Sequence, residues 1–452
     1  MLYRKIRSYI DAHLRSNEDK ILLIEGARQI GKSYIIRDVG TELYDNYVEI
    51  NFVEDDAGDK IFRNVRTTEE FYLNLSMVAG FKLDKYENTL VFIDEIQHYP
   101  QFLTMLKFLR QEHRYRFICS GSLLGIALKK TVSVPVGSII PKKMYQLDFE
   151  EFLIANDFGE DAIVHLRKSF EQKQPLAPEV HDKVLSLFKR YLLVGGMPDA
   201  VNEYLNSHNI VKVREVQAAI RELYGVDASR YEEDAAKKLY IRRIYDMIPS
   251  QMENKKKRIV AKDILDRKGD RFSNYMEEFE YLINSGITIA SNAISNPKYP
   301  LAESQQKNLL KLYMNDVGML SSQLYHYNIQ PILNDIASIN LGSVYESAVA
   351  QELKAHYEKL FYYDNKQKGK VDFLVADSGT MSVLPIEVKS GKDYTVHSAL
   401  DNLMTIQDYH IISSIVLSNE REIKTKGNIL YLPIYYVMFL ENKVPEKENL
   451  YF

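Results

Sequence analysis

The chain has 452 residues, no tryptophan and a single cysteine. One thiol cannot close a disulfide within the chain. Cys119 follows the apolar Phe117 and Ile118, so it reads as a buried thiol in a protein of a reducing compartment. No stretch supplies the roughly 18 apolar residues of a spanning helix. The N-terminal MLYRKIRSYIDAHLRSNEDK is charged and amphipathic, without the apolar centre of a signal peptide. No membrane is expected, and a cytoplasmic location is. Low-complexity tracts are also missing, and 46% hydrophobic with 27% charged residues is the composition of a folded soluble protein. The net charge of −4 gives no general attraction to nucleic acid or anionic lipid, so any such contact must come from a local patch. Tyrosine is abundant at 32 residues, for which the sequence offers no functional reason. The closing Glu448–Phe452 resembles the remnant of a protease-site tag, and the natural chain is expected to end near Lys447.

What is there exceeds one core, since single domains cluster near 100–200 residues. From Ile21 to about Leu128, short apolar runs alternate with helical patterns, the rhythm of a parallel α/β sheet with crossover helices. The candidate strands are Ile21–Ile24, Tyr47–Asn51, Leu90–Ile93 and Phe117–Cys119, and most lack alternation, as strands buried on both faces should. A composition shift near Pro141–Asp148 opens a mostly helical region. Within it, two helices (Ile259–Leu265 and Ser273–Ser285) precede a hairpin of Gly286–Ile294 with Asn308–Met314, an order that suits a winged helix. From Gly342 the pattern is helix, three strands, helix (Thr395–Tyr409) and strand (Ile411–Leu417), a small α/β unit.

Chemistry enters at Gly26-Ala27-Arg28-Gln29-Ile30-Gly31-Lys32-Ser33, a G-x-x-x-x-G-K-S string between a strand and a helix. There backbone N–H groups and the helix N-terminus cradle phosphates, Lys32 reaches the β- and γ-phosphates, and Ser33 ligates magnesium. This implies ATP with Mg2+. Leu90–Ile93 ends in Asp94-Glu95, where such a site needs one carboxylate for the metal and a second to polarise the attacking water: Asp94 and Glu95 respectively. A third strand leads to Ser120-Gly121-Ser122, where Ser120 would sense the γ-phosphate; a plain Ser-Gly turn is the other reading.

These residues resemble a large bacterial and archaeal family of AAA+ ATPases with a nuclease-like C-terminal half of unassigned role. The resemblance also rests on Asp94–Gln97, Leu147–Leu153, Gly195-Gly196-Met197-Pro198, Lys311–Gly318, Val371-Asp372-Phe373 and Ile386–Lys389. The chain departs from the family at Lys370, where an acid is usual, and at Ser138, where an arginine is common. The resemblance implies ATP binding, homo-oligomers whose sites borrow an arginine from the next subunit, and a role on DNA or RNA. The expected organisation is an AAA+-type parallel-sheet P-loop core (1–145), a helical lid (146–235), a winged-helix-like segment (236–330), a restriction-endonuclease-like α/β domain (331–447) and the tag remnant (448–452).

In that last domain, a side-chain period of two puts Val371, Phe373, Val375, Ile386 and Val388 on one side and Asp372, Glu387 and Lys389 on the other. Two carboxylates and a lysine at strand ends suit a magnesium-dependent phosphodiesterase, with Asp372 and Glu387 as metal ligands and Lys389 stabilising hydroxide. This resembles the PD-(D/E)xK nuclease core. Glu346, beside the apolar stripe Tyr345, Val349 and Leu353, would reach the same metal. The other readings are that Glu387 and Lys389 form a solvated strand face, or that the fold is kept without cleavage in a regulatory or defence protein whose last domain only binds DNA or a protein partner. Lys255–Arg258 reads as a phosphate-contacting patch or a solvated turn, though Glu277, Glu278 and Glu280 on the following helix oppose groove insertion. Lys129-Lys130 and Lys142-Lys143 read as subunit-contact or surface charges.

Overall fold

The computed structural model describes residues 2–51, 61–80, 83, 87–122, 137–230, 234–254, 257–335, 341–391 and 393–442. Lys129-Lys130, Lys255-Lys256 and the tag remnant lie outside them. The chain divides into two compact units, Tyr3–Gln146 with Asn284–Ile287, and Leu147–Ile283 with the residues from Thr288 onward.

The first unit runs α1 (Lys5–Arg15), β1 (Ile21–Glu25), α2 (Lys32–Leu43), β2 (Asn46–Asn51), α3 (Thr68–Ala79), β3 (Thr89–Asp94), α4 (Pro100–Glu112), β4 (Arg116–Gly121) and β5 (Ile139–Lys143). Its strands form one parallel sheet in the order β2-β3-β4-β1-β5. The four expected strands are present, and β5 is additional. β3 and β4 are buried along their whole length, the physical reason for their unbroken apolar runs. On one face Phe62, Phe71 and Phe102 interlock at ring separations of 5.5–6.3 Å and cover Val91, Ile93 and Phe117. Burying a phenylalanine in this way contributes about 2–3 kcal/mol. Thr67 and Glu70 close a capping box at the start of α3. Cys119 is fully buried, and burial pushes its thiol up.

The second unit runs α5 (Phe149–Ala155), α6 (Glu160–Glu171), α7 (Pro178–Val194), α8 (Pro198–Ser207), α9 (Ile210–Arg230), α10 (Ala235–Glu253), α11 (Lys262–Leu265) and α12 (Met276–Asn284). There follow β6 (Thr288–Ile294), β7 (Gln305–Met314), α13 (Val317–Tyr325), α14 (Gln330–Leu333) and α15 (Gly342–His356). The chain continues through β8 (Leu360–Asn365), β9 (Gly369–Asp377), β10 (Ser382–Lys389), α16 (Ser398–Met404), β11 (Ser414–Ser418), β12 (Lys424–Lys426) and β13 (Ile429–Pro433).

The eight strands among the described residues join one mixed sheet, ordered β12-β13-β11-β10-β9-β8-β6-β7. The expected hairpin forms as β6 and β7. Rather than standing as a wing, it pairs through β6 with β8, Ser291 opposite Leu360, so the sheet runs across the boundary drawn at residue 330. An open strand edge recruits a neighbour to satisfy its N–H and C=O groups, and no local pattern shows which neighbour that is.

Two motifs that carry no obvious chemistry meet in this unit. Asp316 accepts the backbone N–H of Gly196 at 2.6 Å and of Met319 at 3.1 Å, tying Gly195–Pro198 to Asp316–Gly318. Gly195 sits at φ 75, and a Cβ there would lie 2.0 Å from Asp316 Oδ1. Burial pushes Asp316 up to about 6, with the N–H donors of Gly196, Met319, Gly318 and Met197 opposing it. These glycines and this acid form a packing knot.

Candidate nucleotide site and the C-terminal acid cluster

In the first unit, β1 delivers Gly26 to a spot where only glycine fits. A Cβ there would meet the Met144 carbonyl at 2.4 Å, while Met144 N–H bonds Glu25 O at 2.7 Å. Gly31, at φ 89, turns the chain into α2. Arg4 braces the loop by donating to Ile30 O at 2.9 Å. Lys32 is buried and folds back, donating to Gly26 O at 3.1 Å and Ala27 O at 2.8 Å. Burial lowers its pKa, with the charges of Glu95 and Asp94 opposing.

The ends of β2, β3 and β4 supply the acids and their partners. Asp94 accepts from Ser33 Oγ at 2.7 Å, from Asn51 Nδ2 at 3.3 Å and from Ser120 Oγ. Burial raises Asp94 above the ordinary carboxylate range. Ser33 and Asp94 are hard oxygen donors 2.7 Å apart, the ligand chemistry that suits a magnesium ion completed by phosphate and water oxygens. Glu95 sits at φ 51, in the left-handed region, so the chain leaves β3 on a sharp turn. Gln97 Nε2 and Ser122 Oγ (3.1 Å) both donate to its Oε2, and Arg28 Nη2 lies 3.8 Å from the same oxygen. Burial pushes Glu95 up, but the charges of Lys32 and Arg28 and these hydrogen bonds outweigh it and hold Glu95 below its usual range.

Gly26 to Ser33, Asp94, Glu95 and Ser120 thus come together. Ser120 is turned to Asp94, and Ser122 is the serine that reaches Glu95. Asn51, Gln97, Ser122 and Arg4 were missed as site residues. Gln97 and Ser122 lie inside motifs already quoted, which was the available signal, whereas nothing local marks Asn51 or Arg4.

In the second unit, Asp372, Glu387 and Lys389 also come together. Val388 N–H donates to Asp372 Oδ2 at 2.9 Å, and Lys389 Nζ lies 2.9 Å from Glu387 Oε1. Glu387 Oε2 is buried and takes no hydrogen bond among the described residues. Burial, then the charge of Asp372, pushes Glu387 up to about 8. Asp372 is likewise raised, by burial and then by Glu346.

Three expectations need correction. Glu346 is not open to a shared metal: Oε1 accepts from Lys311 Nζ and Tyr313 Oη, each at 2.7 Å, and Oε2 from Lys257 Nζ at 2.7 Å. Burial alone would raise it, but the two lysines hold it down at about 2. Lys257 and Arg258, the described half of Lys255–Arg258, are not a solvated turn, for Lys257 lies 2.7 Å from Glu346 and Arg258 3.7 Å from Asp364. The alternation along β9 also breaks. Leu374 is opposite Phe361 but Val371 is opposite Tyr363, a one-residue register shift. Val371 therefore packs with Leu374 and Val383, while Phe373 faces Tyr313 at a ring separation of 6.0 Å. Among the described residues no three His, Cys, Asp or Glu side chains are grouped to hold a metal ion. Lys370, where an acid is usual, lies 3.3 Å from Asp364.

Residues 18–153 match the AAA domain family. With the parallel sheet and phosphate loop, this makes the first unit a P-loop ATPase domain of the AAA class. Residues 185–327 and 341–437 match two domains of unknown function, DUF8612 and DUF4143. No curated protein matches the chain. Among solved structures it is similar to the Walker-type ATPase of Pyrococcus abyssi, at 15% identity over 71% of this chain and 95% of that one, TM-score 0.42. It is also similar to the Aeropyrum pernix ORC1 protein in complex with DNA, at 13% identity over 75% and 93%, TM-score 0.34. No described helix is long and apolar enough to cross a membrane.

Proposed function

We propose that the chain hydrolyses ATP at the Gly26–Ser33 loop and couples turnover to a C-terminal centre that acts on nucleic acid. The observation that carries the first half is the pair of differently held acids, Asp94 bonded to Ser33 Oγ and Glu95 bonded at Oε2 by Gln97 and Ser122. A magnesium ion held by Ser33 and Asp94 would place positive charge on the β- and γ-phosphate oxygens. Lys32 exchanges the carbonyls of Gly26 and Ala27 for phosphate oxygens. Glu95 takes a proton from water as the water oxygen attacks the γ-phosphorus, and the bond from that phosphorus to the bridging oxygen of ADP breaks.

Lys32→Ala should lose triphosphate binding, and Glu95→Gln should retain it while turnover drops about a hundredfold or more. Unchanged rates in both purified variants would end this reading. No arginine follows closely after Ser120, so a neighbouring subunit is expected to complete the site and ATP to promote homo-oligomers. A monomer by light scattering at every nucleotide concentration would reject that.

For the second half, the support is Glu387 Oε2, buried and orphaned beside Asp372, a place for one divalent cation on two carboxylates with Lys389 adjacent. Glu346 is no part of it. Calorimetric magnesium or manganese binding, lost in Asp372→Asn together with cleavage of plasmid, single-stranded DNA or RNA, is the expected result. No binding and no cleavage would leave a domain that only binds DNA or a protein partner.

A further inference from the structure

Glu95 is held unevenly. Among the described residues its Oε2 collects every donor to the side chain: Gln97 Nε2, Ser122 Oγ at 3.1 Å and, at longer range, Arg28 Nη2 at 3.8 Å. Gln97 Nε2 also donates to Ser122 Oγ at 3.1 Å, closing a triangle of amide, hydroxyl and carboxylate. Glu95 Oε1 takes no hydrogen bond among the described residues. Both bracing groups are buried, Gln97 7% and Ser122 2% exposed. They come from different elements, Gln97 from the short turn after β3 and Ser122 from just beyond β4. Because Glu95 is at φ 51, its backbone sits in a region that side-chain-bearing residues avoid, and tertiary contacts must hold it there.

The orientation of the Gln97 amide follows from its partner. An ionised carboxylate accepts only, so Nε2 must face Glu95 and Oε1 must face away, where it is buried without a hydrogen bond. A buried acceptor left unmade is costly, and a purely structural glutamine would avoid it.

We propose that Gln97 and Ser122 are positioning residues for ATP hydrolysis: by clamping Glu95 Oε2 they leave Oε1 as the oxygen that takes the proton from the attacking water. This rests on the hydrolytic reading above. In it, Gln97 and Ser122 touch neither nucleotide nor metal, and they act only through the carboxylate. Loss of the clamp frees Glu95 to rotate, and a misplacement of about 1 Å costs about a hundredfold in rate.

The test is a double-mutant cycle on the full-length chain, with magnesium and ATP for turnover and a fluorescent ATP analogue for binding. Gln97→Leu should lower kcat about tenfold to a hundredfold, with KM and analogue affinity within about twofold of the parent. In a Glu95→Gln background the same change should have no further effect, because nothing remains to position. Ser122→Ala, which removes one oxygen, carries the same cycle where Gln97→Leu fails to bind the analogue. An unchanged kcat, or an equal loss with and without Glu95, overturns the clamp while parental turnover stands. A parent that binds ATP and never hydrolyses it overturns the hydrolytic reading and the clamp with it, and is told apart by the parental rate alone.

Discussion

The two acid clusters of this chain answer the same problem, carboxylates crowded in a poorly solvated place, in opposite ways. In the P-loop unit the partners of Asp94 and Glu95 are mostly neutral hydroxyls and amides, and Lys32 is parked on carbonyls of its own loop. Such partners can be exchanged for a cation and a triphosphate at little cost. In the second unit Glu346 is held by Lys257 and Lys311 and Glu387 by Lys389, with Asp372 close enough to feel the first two lysines, so the cations come from the fold itself. At Glu346 the cations that face the carboxylate are lysines of the chain itself, whereas Asp94 is met mainly by hydroxyls and an amide.

The contrast is broken most readily at Glu346. Glu346→Gln leaves two lysines without their carboxylate, and removing one partner of a buried pair costs about 3–5 kcal/mol. The lower figure is expected, because Asp372 also feels both lysines. A urea midpoint unchanged from the parent, with or without chelator, would show that the lysines do not hold this region together. Next in size is a pH effect at Asp316, whose burial lifts it to about 6. The folded state keeps a proton that the unfolded chain gives up near pH 4, so this residue's contribution to stability declines as pH rises from about 4 to about 6. The decline, worth about 2.7 kcal/mol, should flatten in Asp316→Asn when unfolding is followed across that range.

Smaller effects are expected where the acids have neutral partners or where only backbone is at stake. Glu95→Gln should shift stability by less than about 1 kcal/mol, since one of two facing carboxylates is relieved as ion pairs are lost. A loss comparable to that of Glu346→Gln would erase the distinction between the clusters. Gly225, within α9, has nothing within 4 Å of an added Cβ, so Gly225→Ala should stabilise by about 0.5–1 kcal/mol in the same urea titration. Destabilisation there would mean that the glycine serves a contact this structure does not contain.

The linear order of residues determined much about this protein. Gly26 to Ser33 between strand and helix, and acids at the end of an apolar run, are readable because the chemistry lies within a few consecutive residues and burial on both faces leaves an unbroken apolar signature. Glu387 and Lys389 were legible for a related reason, being two apart on one strand, and the pairing of β9 with β10 brings Asp372 beside them. Tertiary structure alone decided the rest. Lys257 and Lys311 stand 89 and 35 residues from Glu346, Ser122 stands 27 from Glu95, and β6 chooses β8 across 60 or more intervening positions. A carboxylate's partner, a strand's neighbour and a one-residue register shift in β9 are settled by which groups must be desolvated together. That information exists only once the chain is packed.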